Sequence, residues 1–551
     1  MSLKGKRLSQ YVDYQTGQQT AAPKAAAIEV SREKVEAGHK EEKTAQQAPA
    51  IRAVWQLLNV VRNVLCFTGA WLLPGLYMAG LAPQSHYWLY LGILAVVSYG
   101  NLNLLMIGKR KFTPWDAFTI FDLKNSIWQY EEQTKRNPPL LRQLILKGSG
   151  VFFGRKDGND VGKGQNMDGH VIVFGGSGSG KSSCIAIPTL NRYQGGVLAI
   201  DIKDGGELQR KSSTNAPVCV LRPGAPGSYG YDPFWFLDRK NPDAGIREIA
   251  ASLIPMNPKN PGDFWTLGEQ RYLTGALAYC YDAGMNFAES CRTIYALPSE
   301  ELLKRIQESK CAFARAAMSD FYGMAAETLG GIVGGVSNAI EVLASDKDVC
   351  EVLTRRPLIT PDMLLRRERI FISIPEHKLD VYRMLLQLII NQFLRWFEQL
   401  SDSETAPVLF MLDEFARLDR YDRLTNALAT LRSKKVTIIL LLQSVSQLDE
   451  LYGKDNRKVM TDNCGYKVIL NATDADSQQY FSKLAGIYLK HRRSYSHGKT
   501  SSTSVSEREE PILKPEEFAT LKEAVLLTPY GLQRIRKQPY YRVKNGLLGG
   551  F

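Results

Sequence analysis

Gly175-Gly176-Ser177-Gly178-Ser179-Gly180-Lys181-Ser182 decides the fold of this chain, because it matches the phosphate-binding loop pattern G-x-x-x-x-G-K-[ST] at every fixed position. The run ahead of it, Val171-Ile172-Val173-Phe174, is continuously apolar, as a strand buried on both faces must be; after it, Ser183 to Leu190 can open a helix. Strand, loop and helix follow in the order the chemistry needs. Phosphate oxygens carry dense negative charge, so the loop needs glycines that let successive backbone N–H groups curl inward, with a helix N-terminus aimed at the anion. The quoted residues and Ser183 are therefore the expected nucleotide contacts. Lys181 would reach the β- and γ-phosphates, and Ser182 would offer its hydroxyl to Mg²⁺.

Working outward, Gly195-Gly196 introduces Val197-Leu198-Ala199-Ile200-Asp201-Ile202-Lys203-Asp204, a second buried strand that ends in charges. Strand, loop, helix, strand is one parallel unit of a doubly wound sheet, whose strand tips face the ligand crevice. Asp201 and Lys203 thus have two readings, a role at the nucleotide or a plain strand-end ion pair. Farther on, Val408-Leu409-Phe410-Met411-Leu412 ends in Asp413-Glu414. Hydrolysing a γ-phosphate takes a carboxylate near Mg²⁺ and a base for the attacking water; Asp413 is the expected metal ligand and Glu414 the expected base. The strand Val436 to Leu442 ends at Gln443, an amide that can sense the γ-phosphate or its water. Before that strand lies the basic turn Leu431-Arg432-Ser433-Lys434-Lys435. Arg432 is either a finger into a neighbouring subunit's site, where such a residue contributes ~10³ to 10⁵ in rate, or a solvated surface charge.

The bulk numbers set the frame. At 551 residues the chain suggests roughly three or four structural units. A hydrophobic share of 44% with 23% charged residues is that of a folded protein. The formal net charge of +13 favours nucleic acid or an anionic membrane face as partner, against the plainer reading of a soluble surface with membrane-flanking lysines. The 8 cysteines form no C-x-x-C pair and have no His at metal spacing, which argues against a zinc site or a catalytic cysteine and for reduced thiols.

Residues 1–50 hold too few large apolar side chains to offset their ordering entropy and read as a disordered cytoplasmic tail, with no cleavable signal. Asn63 to Gly108 contain no Asp, Glu, Lys or Arg over 46 residues, which fits a two-helix transmembrane hairpin within 51–110. Its spans are Val64 to Leu81 and Tyr87 to Ile107, and the flanking Arg62, Lys109 and Arg110 put both ends in the cytoplasm. Residues 111–147 read as a linker, 148–242 and 357–551 as the nucleotide-binding domain, and 243–356 as an inserted all-α domain. Gly330-Gly331 and Gly334-Gly335 inside that insertion indicate a helix break or close packing. Toward the C-terminus we expect a strand at Tyr466 to Leu470, a helix near Ala475 to Leu484 and a flexible loop over His491 to Arg508. Edge strands are expected at Val525-Leu526-Leu527 and at Tyr540 to Val543.

Several of these stretches, in this order, resemble the TraG-type coupling proteins of bacterial conjugation and type IV secretion. They are His170 to Ser182 followed by Ile187-Pro188, the Asp201-Ile202-Lys203 strand end, and Leu412-Asp413-Glu414-Phe415-Ala416-Arg417-Leu418. Gln443-Ser444-Val445-Ser446-Gln447-Leu448, Tyr452-Gly453, Asn463-Cys464 and the Ser-rich segment before Pro511-Ile512-Leu513 complete the set. The resemblance implies an α/β, RecA-like P-loop ATPase with a mostly parallel central sheet, assembled as a ring of six at the bacterial inner membrane. It further implies ATP and Mg²⁺ as ligands, and turnover that drives DNA, relaxase-bound DNA or effector proteins toward the secretion channel and its inner-membrane complex. On the same ground Lys181, Glu414, Gln443 and Arg432 carry the catalysis, Arg432 preceding its strand at the distance of the family's trans-acting arginine. Two departures stand out: the loop between the spans is short, and Asp201 to Glu207 is longer than the family's Asp-x-Lys-Gly-Glu. The competing readings are an FtsK-like chromosomal DNA translocase and an ATP-binding scaffold without translocation.

Overall fold

The computed structural model describes residues 106–107, 110–111, 120–202, 206–256, 260, 262–418, 420–496 and 502–542. The expected tail and nearly all of the expected hairpin lie outside these. The last two residues of the expected second span are an exception: Met106–Ile107 (β1) is extended and pairs antiparallel with Arg110–Lys111 (β2). The chain divides into two compact units, 1–130 and 131–551. The stretch read as a linker contains a helix, Ile120–Arg136.

The second unit is organised by a sheet of 11 strands. In chain order these are β3 (Gly150–Lys156), β4 (Asn159–Gly164), β5 (Val171–Phe174), β6 (Gly196–Asp201), β7 (Val218–Leu221), β8 (Arg369–Ser373), β9 (Val408–Leu412), β10 (Val436–Leu442) and β11 (Tyr466–Ile469). β14 (Glu523–Thr528) and β15 (Gly531–Arg536) complete it, while β12 (Ile487–Ser496) and β13 (Ser502–Pro511) pair only with each other. Across the sheet the order is β4-β3-β15-β14-β11-β5-β10-β9-β6-β8-β7. From β11 to β7 every pairing is parallel; from β14 outward every pairing is antiparallel.

The continuous apolar runs follow from this position. β5, β9 and β10 are interior strands, and every residue in them is buried. Val171, Val173, Leu409, Met411, Ile439 and Leu441 face one core, which contains the helical segment after the phosphate loop. Ile172, Phe174, Phe410, Leu412, Ile438 and Leu440 face the other, shared with the Leu379–Gln399 helix. Each strand residue thus trades water for packing on one side or the other, worth about 1.5–3 kcal/mol for a fully buried Val, Leu, Ile or Phe.

The helical insertion is the connection between β7 and β8, which are adjacent and parallel. It holds helices Asp243–Leu253, Phe264–Asp282, Phe287–Ala296, Ser299–Glu308, Ala312–Met318, Ala326–Ser345 and Lys347–Thr354. Its two stems are stitched where Gly230 donates to the Pro357 carbonyl and accepts from Ile359, at 2.8 Å each. Among the described residues Ala326–Ser345 alone has the length and apolarity to cross a membrane. It buries Leu329, Ile332, Val336, Ile340 and Leu343 at helical spacing in the core of the insertion. The helix is unbroken, and two of its four glycines mark close packing: a Cβ on Gly331 would sit 2.8 Å from the Trp265 ring, and one on Gly335 1.9 Å from Glu269 Oε1, while Gly330 and Gly334 face open space.

Three C-terminal expectations are corrected. His491 to Arg508 is largely a regular antiparallel ribbon, β12 against β13 in register from Ile487↔Pro511 to Ser496↔Ser502, in place of a flexible loop. Tyr540–Arg542 is a 3-10 turn, and the strand lies earlier, at β15, across a tight turn where Thr528 Oγ1 donates to the Gly531 carbonyl at 2.9 Å. β14 is no edge strand, being flanked by β11 and β15.

Candidate nucleotide-binding site

Because β11, β5, β10, β9 and β6 run parallel and side by side, the segments leaving their C-terminal ends converge on one rim. The phosphate loop leaves β5. Gly175 N–H donates to the Leu442 carbonyl at 3.0 Å, anchoring the loop to the tip of β10, and Ser179 N–H closes onto the Gly176 carbonyl at 3.2 Å. Gly178 (φ 72°) and Gly180 (φ 102°) occupy the left-handed region that only glycine enters cheaply. Gly175 is required for another reason: a Cβ there would lie 2.3 Å from Ser179 Oγ. Ser177 and Gly178 form the exposed crest, Ser179 and Ser183 are half-buried, and Gly176 lies beneath.

The helix begins at Lys181 with a wide π turn, Lys181–Ala186, and tightens to α at Ile187–Arg192, with Pro188 just past the join. Lys181 and Ser182 are each only 6% exposed. Lys181 Nζ donates to the Gly175 carbonyl at 2.8 Å and lies 3.8 Å from Glu414 Oε1. The carboxylates come from the tip of β9. Asp413 is fully buried, with Oδ1 accepting from Glu414 N–H at 3.1 Å. Glu414 takes φ 47°, a left-handed conformation that costs a non-glycine residue on the order of 1 kcal/mol and is tolerated where the fold over-determines it. Here the Glu414 carbonyl accepts from Arg417 N–H at 2.8 Å, and Oε2 accepts from Gln443 Nε2 at 3.3 Å. Glu414 thus contacts both Lys181 and Gln443, and the segments that carry Ser182 and Asp413 leave β5 and β9, the two strands that flank β10.

Other residues fall elsewhere. Asp201 caps a short helix, a role neither reading named: its Oδ2 accepts from Leu208 N–H at 2.7 Å and Gln209 N–H at 3.3 Å. Glu207 pairs with Lys211 at 2.9 Å on that helix, and Lys203 lies outside the described residues. Arg432 is at the opposite end of β10, one strand length or about 20 Å from its own chain's phosphate loop. Cys184 packs under Gly180, and burial pushes its thiol up from the usual range, which leaves it unreactive.

Two contributors had no role assigned from sequence, Tyr452 having entered only as part of the resemblance. Asn471, just past β11, accepts from Gly176 N–H through Oδ1 at 2.8 Å and so orients the loop; a polar residue at the tip of a buried strand, the signal that marked Gln443, marks it too. Tyr452 braces the segment after Glu414: its hydroxyl accepts from Tyr421 N–H at 2.9 Å and its ring stacks on Phe415 at 6.0 Å. The adjacent Gly453 (φ 76°) makes the kink that puts it there.

The fold and this rim define an α/β protein built around a phosphate-binding loop at the centre of a mostly parallel sheet. Residues 139–547 match the family model described as Type IV secretory system Conjugative DNA transfer, and the chain belongs to that family. It is similar to Protein VirD4 of Rhizobium rhizogenes, 25% identical over 395 residues that cover 68% of this chain and 58% of the relative. It is also similar to the conjugal transfer protein TraG of Rhizobium radiobacter, 24% identical over 378 residues, covering 64% and 58%. The chain therefore spans somewhat more than half the length of these relatives. Among solved structures, the bacterial conjugative coupling protein TrwBdeltaN70 superposes with a TM-score of 0.56 at 18% identity, over 73% of this chain and 95% of that one. The plasmid coupling protein TrwB in complex with ADP and Mg²⁺ gives 0.55 at 17% identity, over 72% and 94%.

Proposed function

We propose that this protein is the ATP-hydrolysing motor subunit and substrate receptor of a type IV secretion apparatus. It would be held at the bacterial inner membrane by its two-span hairpin, with both termini cytoplasmic. One observation carries the reading: Glu414 contacts both Lys181 and Gln443 at the tips of β5, β9 and β10. Family membership supports it, and TrwB, which shares the fold, has been crystallised with the ATP analogue ADPNP and with ADP and Mg²⁺.

The residues fit ATP with Mg²⁺. Among the described residues there is no cluster of three or more His, Cys, Asp and Glu, and the donor pair Ser182 and Asp413 is a sparse oxygen set of the kind that suits Mg²⁺. When bound, Mg²⁺ neutralises charge on the β- and γ-phosphate oxygens. The chain does the rest by position. Lys181, held back on the Gly175 carbonyl and Glu414, turns its ammonium to the β- and γ-phosphates. Glu414, relieved of that ammonium, accepts the proton of the attacking water, and Gln443 holds the carboxylate and orients that water. Arg432, remote from its own site, acts on the nucleotide of the next subunit in a homo-hexameric ring.

The insertion at 243–356 and the basic turn at 431–435 receive cargo: DNA bound without sequence preference, relaxase-bound DNA or effector proteins, passed to the secretion channel and its inner-membrane complex. Turnover by the purified full-length protein, stimulated by DNA and absent in Glu414→Gln, tests the motor reading. Nucleotide binding without turnover in the unaltered protein would leave a docking scaffold.

A further inference from the structure

The turn Leu431-Arg432-Ser433-Lys434-Lys435 joins the Asp422–Thr430 helix to β10 at the N-terminal edge of the sheet. Its side chains are used unequally. Leu431 is buried. Lys434 Nζ donates to the Glu398 carbonyl at 2.9 Å and to the Leu400 carbonyl, at the end of the Leu379–Gln399 helix; Lys435 Nζ reaches the Thr405 carbonyl at 3.4 Å. Arg432 is exposed. The turn ties its two lysines back onto its own chain and presents the guanidinium outward.

Both arms of this turn meet one buried imidazole. His170, fully buried and immediately ahead of β5, accepts from Ile438 N–H through Nδ1 at 3.0 Å. That bond puts the lone pair on Nδ1 and the proton on Nε2. The Leu428 carbonyl, in the last turn of the Asp422–Thr430 helix, lies beside the same imidazole and acts on its charge, without a regular hydrogen bond to Nε2. Helical donors run out in that turn, so a donor from elsewhere is useful there. Ile438 follows Arg432 by six residues and Leu428 precedes it by four. Only a neutral imidazole can serve both, and burial first, then the nearby Lys163, push the His170 pKa down to about 3. Lys163, fully buried in β4, adds a bond of 2.8 Å to Thr437 Oγ1 on the same arm.

We infer that His170 is a positioning residue for Arg432, clamping its turn from inside the fold, with Lys434 holding the same turn from outside. The inference rests on Arg432 acting across a subunit boundary. A guanidinium that must arrive at a neighbour's nucleotide is sensitive to its base, since a misplacement of about 1 Å can cost up to ~10²-fold. Neither His170 nor Lys434 touches the nucleotide, so their loss should affect rate and leave binding alone.

The test measures kcat for ATP and the affinity of a fluorescent ATP analogue on the full-length protein. It uses Arg432→Ala, His170→Leu, His170→Gln, Lys434→Met and the double variant His170→Leu with Arg432→Ala. His170→Leu and Lys434→Met should each lower kcat on the order of 10-fold. Analogue affinity should stay within about 2-fold of the unaltered protein. His170→Gln, whose amide can accept from Ile438 and donate toward Leu428, should keep most of the rate. The double variant should be no slower than Arg432→Ala alone. Losses that multiply in the double variant, or a matching loss of affinity, overturn the inference. Should His170→Leu not fold, Lys434→Met decides, and a normal kcat there overturns it. A normal rate in Arg432→Ala removes the trans reading and this inference with it; a slow Arg432→Ala beside normal His170→Leu and Lys434→Met removes this inference alone.

Discussion

The two ends of the parallel sheet carry similar side chains and use them differently. At the C-terminal end Lys181 and Glu414 stand 3.8 Å apart, and Glu414 holds an unfavourable backbone conformation. At the N-terminal end Lys163 and His170 are sealed from water, and each bonds to β10, Lys163 at Thr437 and His170 at Ile438. One end pairs its charges with partners that a ligand could replace. The other spends its polar groups on fixing the chain. Burial by itself does not separate them, since Lys181 is nearly as hidden as Lys163; the identity of the bonded partner does, a glycine loop and a carboxylate in one case and a strand hydroxyl in the other.

The contrast can be broken in order of expected effect. Lys181→Ala removes the cation that meets the phosphates and should weaken ATP binding by more than ~10²-fold, read by fluorescence titration; near-normal affinity would mean the C-terminal rim is no nucleotide site. Glu414→Gln should lower kcat by about 10²- to 10⁴-fold while binding is kept, as expected when a general base is lost. Glu414→Gly sharpens the point: it should abolish turnover yet raise the melting temperature, because glycine relieves the φ 47° strain, by about 1 kcal/mol. A lower melting temperature would show that the carboxylate is structural. Asn471→Ala leaves Gly176 N–H without its 2.8 Å acceptor and should weaken ATP binding about five-fold, near 1 kcal/mol.

At the other end the expected signature is in stability against pH. His170 titrates near 3 in the fold against 6.5 ordinarily, so between those values the unfolded chain binds a proton that the folded chain does not. Stability from this residue is full above pH 6.5 and falls on acidification, by about 1.4 kcal/mol per pH unit. Urea midpoints of the unaltered protein should therefore drop more steeply from pH 6.5 to 4.5 than those of His170→Gln; parallel curves would deny His170 its buried, neutral state.

Much of this was legible because interior parallel strands must be apolar on both faces. Val171 to Phe174, Val408 to Leu412 and Val436 to Leu442 announce themselves, and the residue that ends each run is placed at the rim by the same rule. The β12–β13 ribbon was hidden because neither strand belongs to the main sheet, and polar, serine-rich strands carry no apolar alternation to read. Asn471 was missed since an isolated amide beyond a short strand has no companion in the sequence; its companion, Gly176, is 295 residues away. The role of His170 was hidden for the same reason, its partner Ile438 lying 268 residues on.

The helical excursion is, topologically, one oversized crossover between neighbouring strands β7 and β8, closed at its neck by the Gly230 bonds to Pro357 and Ile359. A cassette hung from such a neck can be lengthened, trimmed or exchanged during evolution without shifting the register of any strand that carries the rim residues. Under the proposed function, the cassette that receives cargo could then diversify while the half that turns over ATP stays fixed.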